Sequence, residues 1–176
     1  FYLANTGRPG PVLIDLPKDI TQGPCSAPLV DEVDLPGYSV PGSGDPESIA
    51  AAAEFLKAAE RPLLYVGNGA VISDAGKAVV SLAEKLRAPM VNTLLGKGAA
   101  DENHPLHLGM LGMHGTAYAN KAVANCDLIM AIGARWDDRI TGKLSEFCTN
   151  AVKIHVDIDP AEYNKVIMPD VFVQGD

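Results

Sequence analysis

The chain has 176 residues, 47% of them hydrophobic and 20% charged, with a formal net charge of −8. That length suits one α/β domain with part of a second, and the acidic balance argues against nucleic acid, which is held by clustered Lys and Arg. No apolar run reaches the roughly 18 residues of a membrane span, and no signal peptide is visible; Cys25, Cys126 and Cys148 show no CxxC pattern and read as reduced intracellular thiols rather than a disulfide framework or zinc site.

The first segment, FYLANTGRPGPVLIDLPKDI, enters in mid-pattern, as a piece of a longer polypeptide would. Within it PVLIDLP (11–17) reads as a strand buried on both faces. Residues 21–46 carry Pro24, Pro28, Pro36, Pro41 and Pro46 with Gly23, Gly37, Gly42 and Gly44, which suits an extended linker and a domain boundary. Asp45 then serves as a cap and Pro46 as first helical residue, and Ile49, Ala52, Ala53 and Leu56 fall on one helical face. PLLYVG (62–67) reads as a buried strand, Ile72, Ala75, Val79, Leu82 and Leu86 trace one face of a second helix, and PMVNT (89–93) is the next strand. After a long glycine-punctuated connection come a helix over about 116–125 and strands LIMAIG (128–133), KIHVDID (153–159) and VFVQG (171–175). This alternation predicts an α/β fold, doubly wound on a mostly parallel sheet.

Each strand runs into a polar or glycine-rich stretch: GNGA (67–70), NTLLGKG (92–98), GARWDDR (133–139), DID (157–159) and GD (175–176). In an open parallel sheet those stretches share one edge, where ligands bind. GNGAVISDAG could offer amides to a pyrophosphate at a helix N-terminus, or be bare connection; it does not match GxGxxG, which also counts against a free-standing NAD-dependent dehydrogenase. The DID carboxylates could meet a ribose, or Asp159 could cap a helix ahead of Pro160. In GARWDDRITG, two arginines and two aspartates could clamp a phosphate or carboxylate through a bidentate guanidinium, or form a surface salt-bridge cluster. His104 and His107 are a poor metal pair, since Pro105 interrupts any helix and no ligand set accompanies them; His155, alternating within a strand, reads as structural. LGMLGMHGTAYAN (108–120) sets glycines, which let a ligand approach the backbone, beside methionines, which make an adaptable apolar wall. His114 lies inside that stretch.

Together GRPGPVLIDLPKDI, MLGMHGTAYAN and GARWDDRITGKLSEF resemble the large catalytic subunit of acetohydroxyacid (acetolactate) synthases, transferases of branched-chain amino-acid biosynthesis that use thiamine diphosphate and Mg²⁺. The likeness runs over the whole chain with the motifs in order. It implies that residues 1–20 are the last helix and strand of a pyrimidine-binding domain, 21–45 a linker, and 46–176 a Rossmann-like central domain. In this family of flavoproteins the central domain holds FAD, extended across the strand ends, in a structural role. Leu111, Gly112, Met113 and His114 would follow the middle and ring end of the flavin. Gly67, Asn68 and Gly69 would meet its pyrophosphate-ribitol region, and Thr93 and Leu94 the ring side. Gly133, Arg135, Asp137, Arg139 and Ile140 would line its chain, and Asp157, Ile158, Gly175 and Asp176 its adenosine end. Arg139 and Met113 would also face the second 2-ketoacid. Trp136 departs from the usual Phe, and GNG from a common glycine triplet.

The family's ylid-forming glutamate lies in the N-terminal domain and its diphosphate and Mg²⁺ stretch, GDG…N, in the C-terminal one. Neither motif occurs here, so the resemblance implies no catalytic residue and no activity in this chain alone. It further implies the remaining domains, a homo-oligomer and a regulatory small subunit as partners. The implied location is the bacterial cytoplasm, or the plastid in a plant. The alternative is an ADP-binding central domain of another thiamine-diphosphate decarboxylase.

Overall fold

Short apolar runs separated by amphipathic helices place strands parallel, because each crossover must return over a face of the sheet. The computed structural model describes residues 1–28 and 31–176. It divides into two units, Phe1–Val40 and Pro41–Asp176.

In the second unit the described residues form one six-stranded parallel sheet: β1 (Pro62–Val66), β2 (Met90–Asn92), β3 (His107–Met110), β4 (Leu128–Ile132), β5 (Val152–Asp157) and β6 (Val171–Gln174). Their spatial order is β3-β2-β1-β4-β5-β6. The order reverses between β1 and β4, which pair in register from Pro62 with Leu128 to Val66 with Ile132. The expected doubly wound fold is therefore the observed one.

Both faces are covered, which is why β1 is a continuous apolar run with every residue buried. Leu64, Val66 and Met90 pack with Val79 and Ala83 of a helix at Gly76–Leu86, while Leu128, Ile154, Val171 and Val173 meet Ala52 and Leu56 of a helix at Pro46–Ala58. On the opposite face Leu63, Tyr65, Val91, Ile129 and Ala131 pack against Ala119 and Val123 of a helix at Ala117–Asn125, and against Trp136, Phe147 and Cys148. The helix at Pro46–Ala58 starts as its sequence dictates, with the Asp45 carboxylate accepting from the Ser48 amide at 2.8 Å and Pro46 in the first turn.

The first unit contains two short helices, α1 (Tyr2–Asn5) and α2 (Lys18–Gln22). The Tyr2 and Tyr38 rings meet edge to face at 5.9 Å, and the Tyr38 hydroxyl bonds that of Thr6 at 2.8 Å. The remaining α-helices among the described residues, in chain order, are α3 (Pro46–Ala58), α4 (Asn68–Ile72), α5 (Gly76–Leu86), α6 (Ala117–Asn125) and α7 (Asp138–Thr141).

The structure departs from the sequence reading in four places. PVLIDLP is not a strand: residues 11–17 are irregular, with Leu13 93% and Ile14 65% exposed. A buried strand needs a ladder partner, and among the described residues none pairs with it. The boundary between the two units falls inside the expected linker 21–45, and in the second unit Gly42 accepts from the Asp176 amide at 3.3 Å. Residues 29 and 30 of that linker lie outside the described residues. The helix traced through Ile72 and Leu86 is two helices, α4 and α5, separated at Asp74, whose φ is +52°. The long connection before α6 contains β3, an edge strand whose HLGM sequence lacks β-branched residues and whose pairing with β2 slips in register. The expected strand 153–159 ends at Asp157, where the Asp157 carboxylate accepts from the Asp159 amide at 2.9 Å and turns the chain away from the ladder, leaving Ile158 beyond it.

Candidate functional site

At the switch point the loops after β1 and β4 interlock. The Gly67 amide donates to the Ile132 carbonyl at 2.9 Å, and the Gly69 amide to the Gly133 carbonyl at 3.0 Å. Gly133 holds φ at +57°, and a Cβ there would stand 2.5 Å from the Gly69 Cα, so this crossing requires glycine. The Gly69 amide is thus already engaged, and α4 spans only five residues. What the GNGA turn presents outward is Asn68, which is exposed.

After β4 the chain alternates. Ala134 and Trp136 point inward, 3% and 2% exposed, and Arg135 and Asp137 outward. Trp136 anchors the segment among Tyr65, Phe147 and His155, with ring centroids 5.6, 6.0 and 5.6 Å away. The Tyr65 hydroxyl donates to the Arg135 carbonyl at 2.9 Å, and burial, aided by nearby Asp137, pushes its ionisation well above the usual tyrosine range. Asp137 then caps α7 by accepting from the Arg139 amide at 3.1 Å. Its other oxygen lies 3.6 Å from the Arg135 guanidinium, and Arg139 pairs with Asp138. Both arginines keep more than half of their side chains in solvent, so these pairs orient guanidinia more than they stabilise the fold.

The stretch after β3 closes over the same edge. Gly112 has φ +89°, and a Cβ on it would come 2.4 Å from the Arg139 carbonyl. The Met113 amide donates to that carbonyl at 2.8 Å. Asn120, one turn into α6, brackets Gly112 on both sides, accepting from its amide at 2.9 Å and donating to its carbonyl at 3.0 Å. LGMHG and GARWDDR, separate in sequence, therefore share one backbone junction. Met113 projects from it 68% exposed, and Leu94, after β2, is equally exposed. The Thr93 amide donates to the Val66 carbonyl at 2.9 Å, tying that loop to the end of β1.

On the other side of the switch point Asp157 is 7% exposed, and Gly175 donates to its carbonyl at 3.2 Å. His155 Nε2 lies 2.9 Å from the Ala134 carbonyl; because a carbonyl only accepts, that nitrogen carries the proton. Its structural role is thus visible in the fold. His104 lies 3.3 Å from Glu84, and among the described residues no group of three metal-ligating side chains converges.

The predicted residues therefore collect along the C-terminal edge of the sheet. Sequence reasoning missed Tyr65 and Asn120, which hold the site from beneath and from the side. Asn92, 3% exposed at the end of β2, was missed as well: its side-chain oxygen has no partner. Asn92 opens the polar NTLLGKG stretch and Asn120 closes LGMLGMHGTAYAN, so both carried a signal, whereas Tyr65 inside an apolar strand carried none.

A family model described as thiamine pyrophosphate enzyme, central domain, matches residues 49–176. The chain belongs to this family. Over its whole length the chain is similar to the probable acetolactate synthase large subunit of Methanocaldococcus jannaschii, 48% identical over 179 residues that make up 30% of that protein. It is 50% identical over 182 residues to the acetolactate synthase large subunit of Parasynechococcus marenigrum, 29% of that protein, and 45% identical over 176 residues to the acetolactate synthase of Mycobacterium leprae, 28% of it. The chain thus spans about 30% of the length of the curated relatives it matches. No helix among the described residues is long and apolar enough to cross a membrane.

Proposed function

We propose that this chain is the FAD-holding central part of an acetolactate synthase large subunit. The observation that carries the reading is similarity to acetolactate synthases over the full chain, including the stretches that meet at the Met113–Arg139 junction. The residues present fit a flavin dinucleotide: exposed apolar Met113 and Leu94 stand on the same sheet edge as the Arg135 and Arg139 guanidinia. A flat ring joined to a diphosphate asks for that pairing. In this reading Leu111, Gly112, Met113 and His114 follow the flavin, Asn68 and Thr93 flank it, Arg135, Asp137 and Ile140 line its chain, and Asp157, Ile158, Gly175 and Asp176 its adenosine end.

The whole protein would decarboxylate pyruvate on thiamine diphosphate and Mg²⁺, held outside these residues, and join the product to a second 2-ketoacid. Residues 1–20 would belong to the preceding domain, with further domains, a second catalytic subunit and a regulatory small subunit as partners. Cytoplasm or plastid would be its location.

Titrating the chain with FAD, ADP and NAD, followed by flavin fluorescence and calorimetry, tests the reading. FAD should bind more tightly than ADP, because only FAD reaches Met113 and Leu94. Equal affinity for the two would favour the ADP-holding central domain of a related decarboxylase and overturn the flavin assignment. Isolated central domains lose walls that neighbouring domains provide, so the affinity should be weak.

A further inference from the structure

The strand-end site makes no use of two cysteines on the face of the sheet covered by α6. Cys126 ends α6, and Cys148 follows the turn Leu144–Glu146 that leads from α7 toward β5. Both thiols donate to one acceptor, the Val123 carbonyl, Cys126 at 3.2 Å and Cys148 at 3.3 Å. Two sulfurs on one oxygen are neighbours, placed so that the Cys126 thiol can turn from the carbonyl to donate to a Cys148 thiolate. Cys148 reaches this position on a left-handed backbone, φ +45°, closed by the Ala151 amide donating to its carbonyl at 3.1 Å. Cys148 also stands on the wall of an open cavity of about 230 Å³ between α6 and α7, with Asn120, Ile140, Lys143 and Glu146. Cys148, though only 8% exposed, therefore borders space that a small molecule can enter, and Cys126 beside it is the more exposed of the two.

We propose that Cys126 and Cys148 are a modification site that forms a reversible disulfide with a small peroxide as oxidant. The chemistry divides between the two sulfurs. The Cys126 hydrogen bond holds the Cys148 thiol below its ordinary value, with Lys153 adding to the effect against the opposing pull of burial; Cys126 is pushed up by the same bond and by burial. The thiolate is the nucleophile, so Cys148 attacks first. Its sulfur takes one peroxide oxygen as the O–O bond breaks and the other oxygen leaves as water, giving a sulfenic acid. The Cys126 sulfur then attacks Cys148, the S–O bond breaks, a second water leaves and the S–S bond forms. Two thiols lose two electrons, and the peroxide is reduced to water. A dithiol reductant reverses the bond by exchange. The cross-link ties the end of α6 to the chain leaving α7, the two helices that carry Asn120 and Arg139.

Trypsin cuts the chain so that Cys126 falls in residues 122–135 and Cys148 in 144–153. The full chain carrying Cys25→Ser, treated with hydrogen peroxide and digested without reductant, should yield these two peptides joined, about 2 Da below their summed mass, and separated again by dithiothreitol. Free thiols counted in denaturant should fall from two to none, and cross-linking should run at least about tenfold faster in the folded chain than in urea, where the sulfurs are no longer held together. Cys148→Ala should abolish the joined peptide and slow oxidation of Cys126. Recovery of the two peptides unlinked or separately overoxidised, a link between two chains, or equal rates in urea and in buffer would each overturn the proposal.

Discussion

Trp136 shows how one side chain sets a site without touching a ligand. Buried at 2% exposure between Tyr65, Phe147 and His155, it forces Arg135 and Asp137 to the outside by alternation. Its indole N–H has no partner, a cost that the ring's burial outweighs. Trp136→Phe removes the unpaired donor while losing volume, so urea unfolding should place it within about 1 kcal/mol of the parent, whereas Trp136→Ala should lose about 3–5 kcal/mol. His107 gives a pH signature. Burial is the main cause holding its imidazole below 6.5, with Lys97 and His104 adding to the shift and Glu102 and Asp101 opposing it. The unfolded chain therefore takes up the proton first, so His107's contribution is full above pH 6.5 and is lost as pH falls through 6.5 toward the folded value. His107→Gln should flatten the urea midpoint against pH in that window; an unchanged slope would assign the dependence to another group.

Helix α6 carries more of the site than its length suggests. Its capping residue Thr116 accepts from the Ala119 amide at 3.1 Å and donates to the Leu108 carbonyl at 2.7 Å, so one hydroxyl starts the helix and ties it to β3. One turn later Asn120 brackets Gly112, and at the far end Cys126 meets Cys148. Thr116→Ala should cost about 1–2 kcal/mol in urea unfolding, and Thr116→Ser should restore most of it. The helix itself was legible in the sequence, expected over about 116–125 and found at Ala117–Asn125 with Ala119 and Val123 buried. The break between α4 and α5 was not. Apolar spacing continues from Ile72 through Leu86 with no proline, and only the left-handed Asp74 interrupts the helical hydrogen bonding.

For the molecule as a whole, parallel strands gather their loops at one edge, and the functional proposal belongs to that edge. Arg139 projects there, paired with Asp138, with its backbone carbonyl fixed by Met113. In the complete acetolactate synthase that we propose, its guanidinium would hold the carboxylate of the second 2-ketoacid. Arg139→Lys keeps the charge and loses the planar fork. At saturating FAD, acetohydroxyacid formation should fall more than acetaldehyde release, because only the joining step positions a second carboxylate. An unchanged product ratio would leave Arg139 as a brace for the flavin alone.

Hydrophobic period, helix caps and turn residues act over a few neighbours, and so the sequence by itself determined the helices at α3 and α6, four strands that were found close to their predicted bounds, and the parallel fold class that puts their loops together. The motifs also determined the family, because residues at the strand ends identify it without reference to their contacts. Contacts between distant residues were decided only by the tertiary structure. PVLIDLP has a strand's composition and no ladder partner among the described residues; HLGM has little strand character and is one because β2 lies beside it. The Met113–Arg139 junction, the Tyr65 support beneath Arg135 and the paired thiols join segments far apart in the chain. No local pattern encodes such a contact, since its free energy arises only when the folded sheet brings both partners to one place.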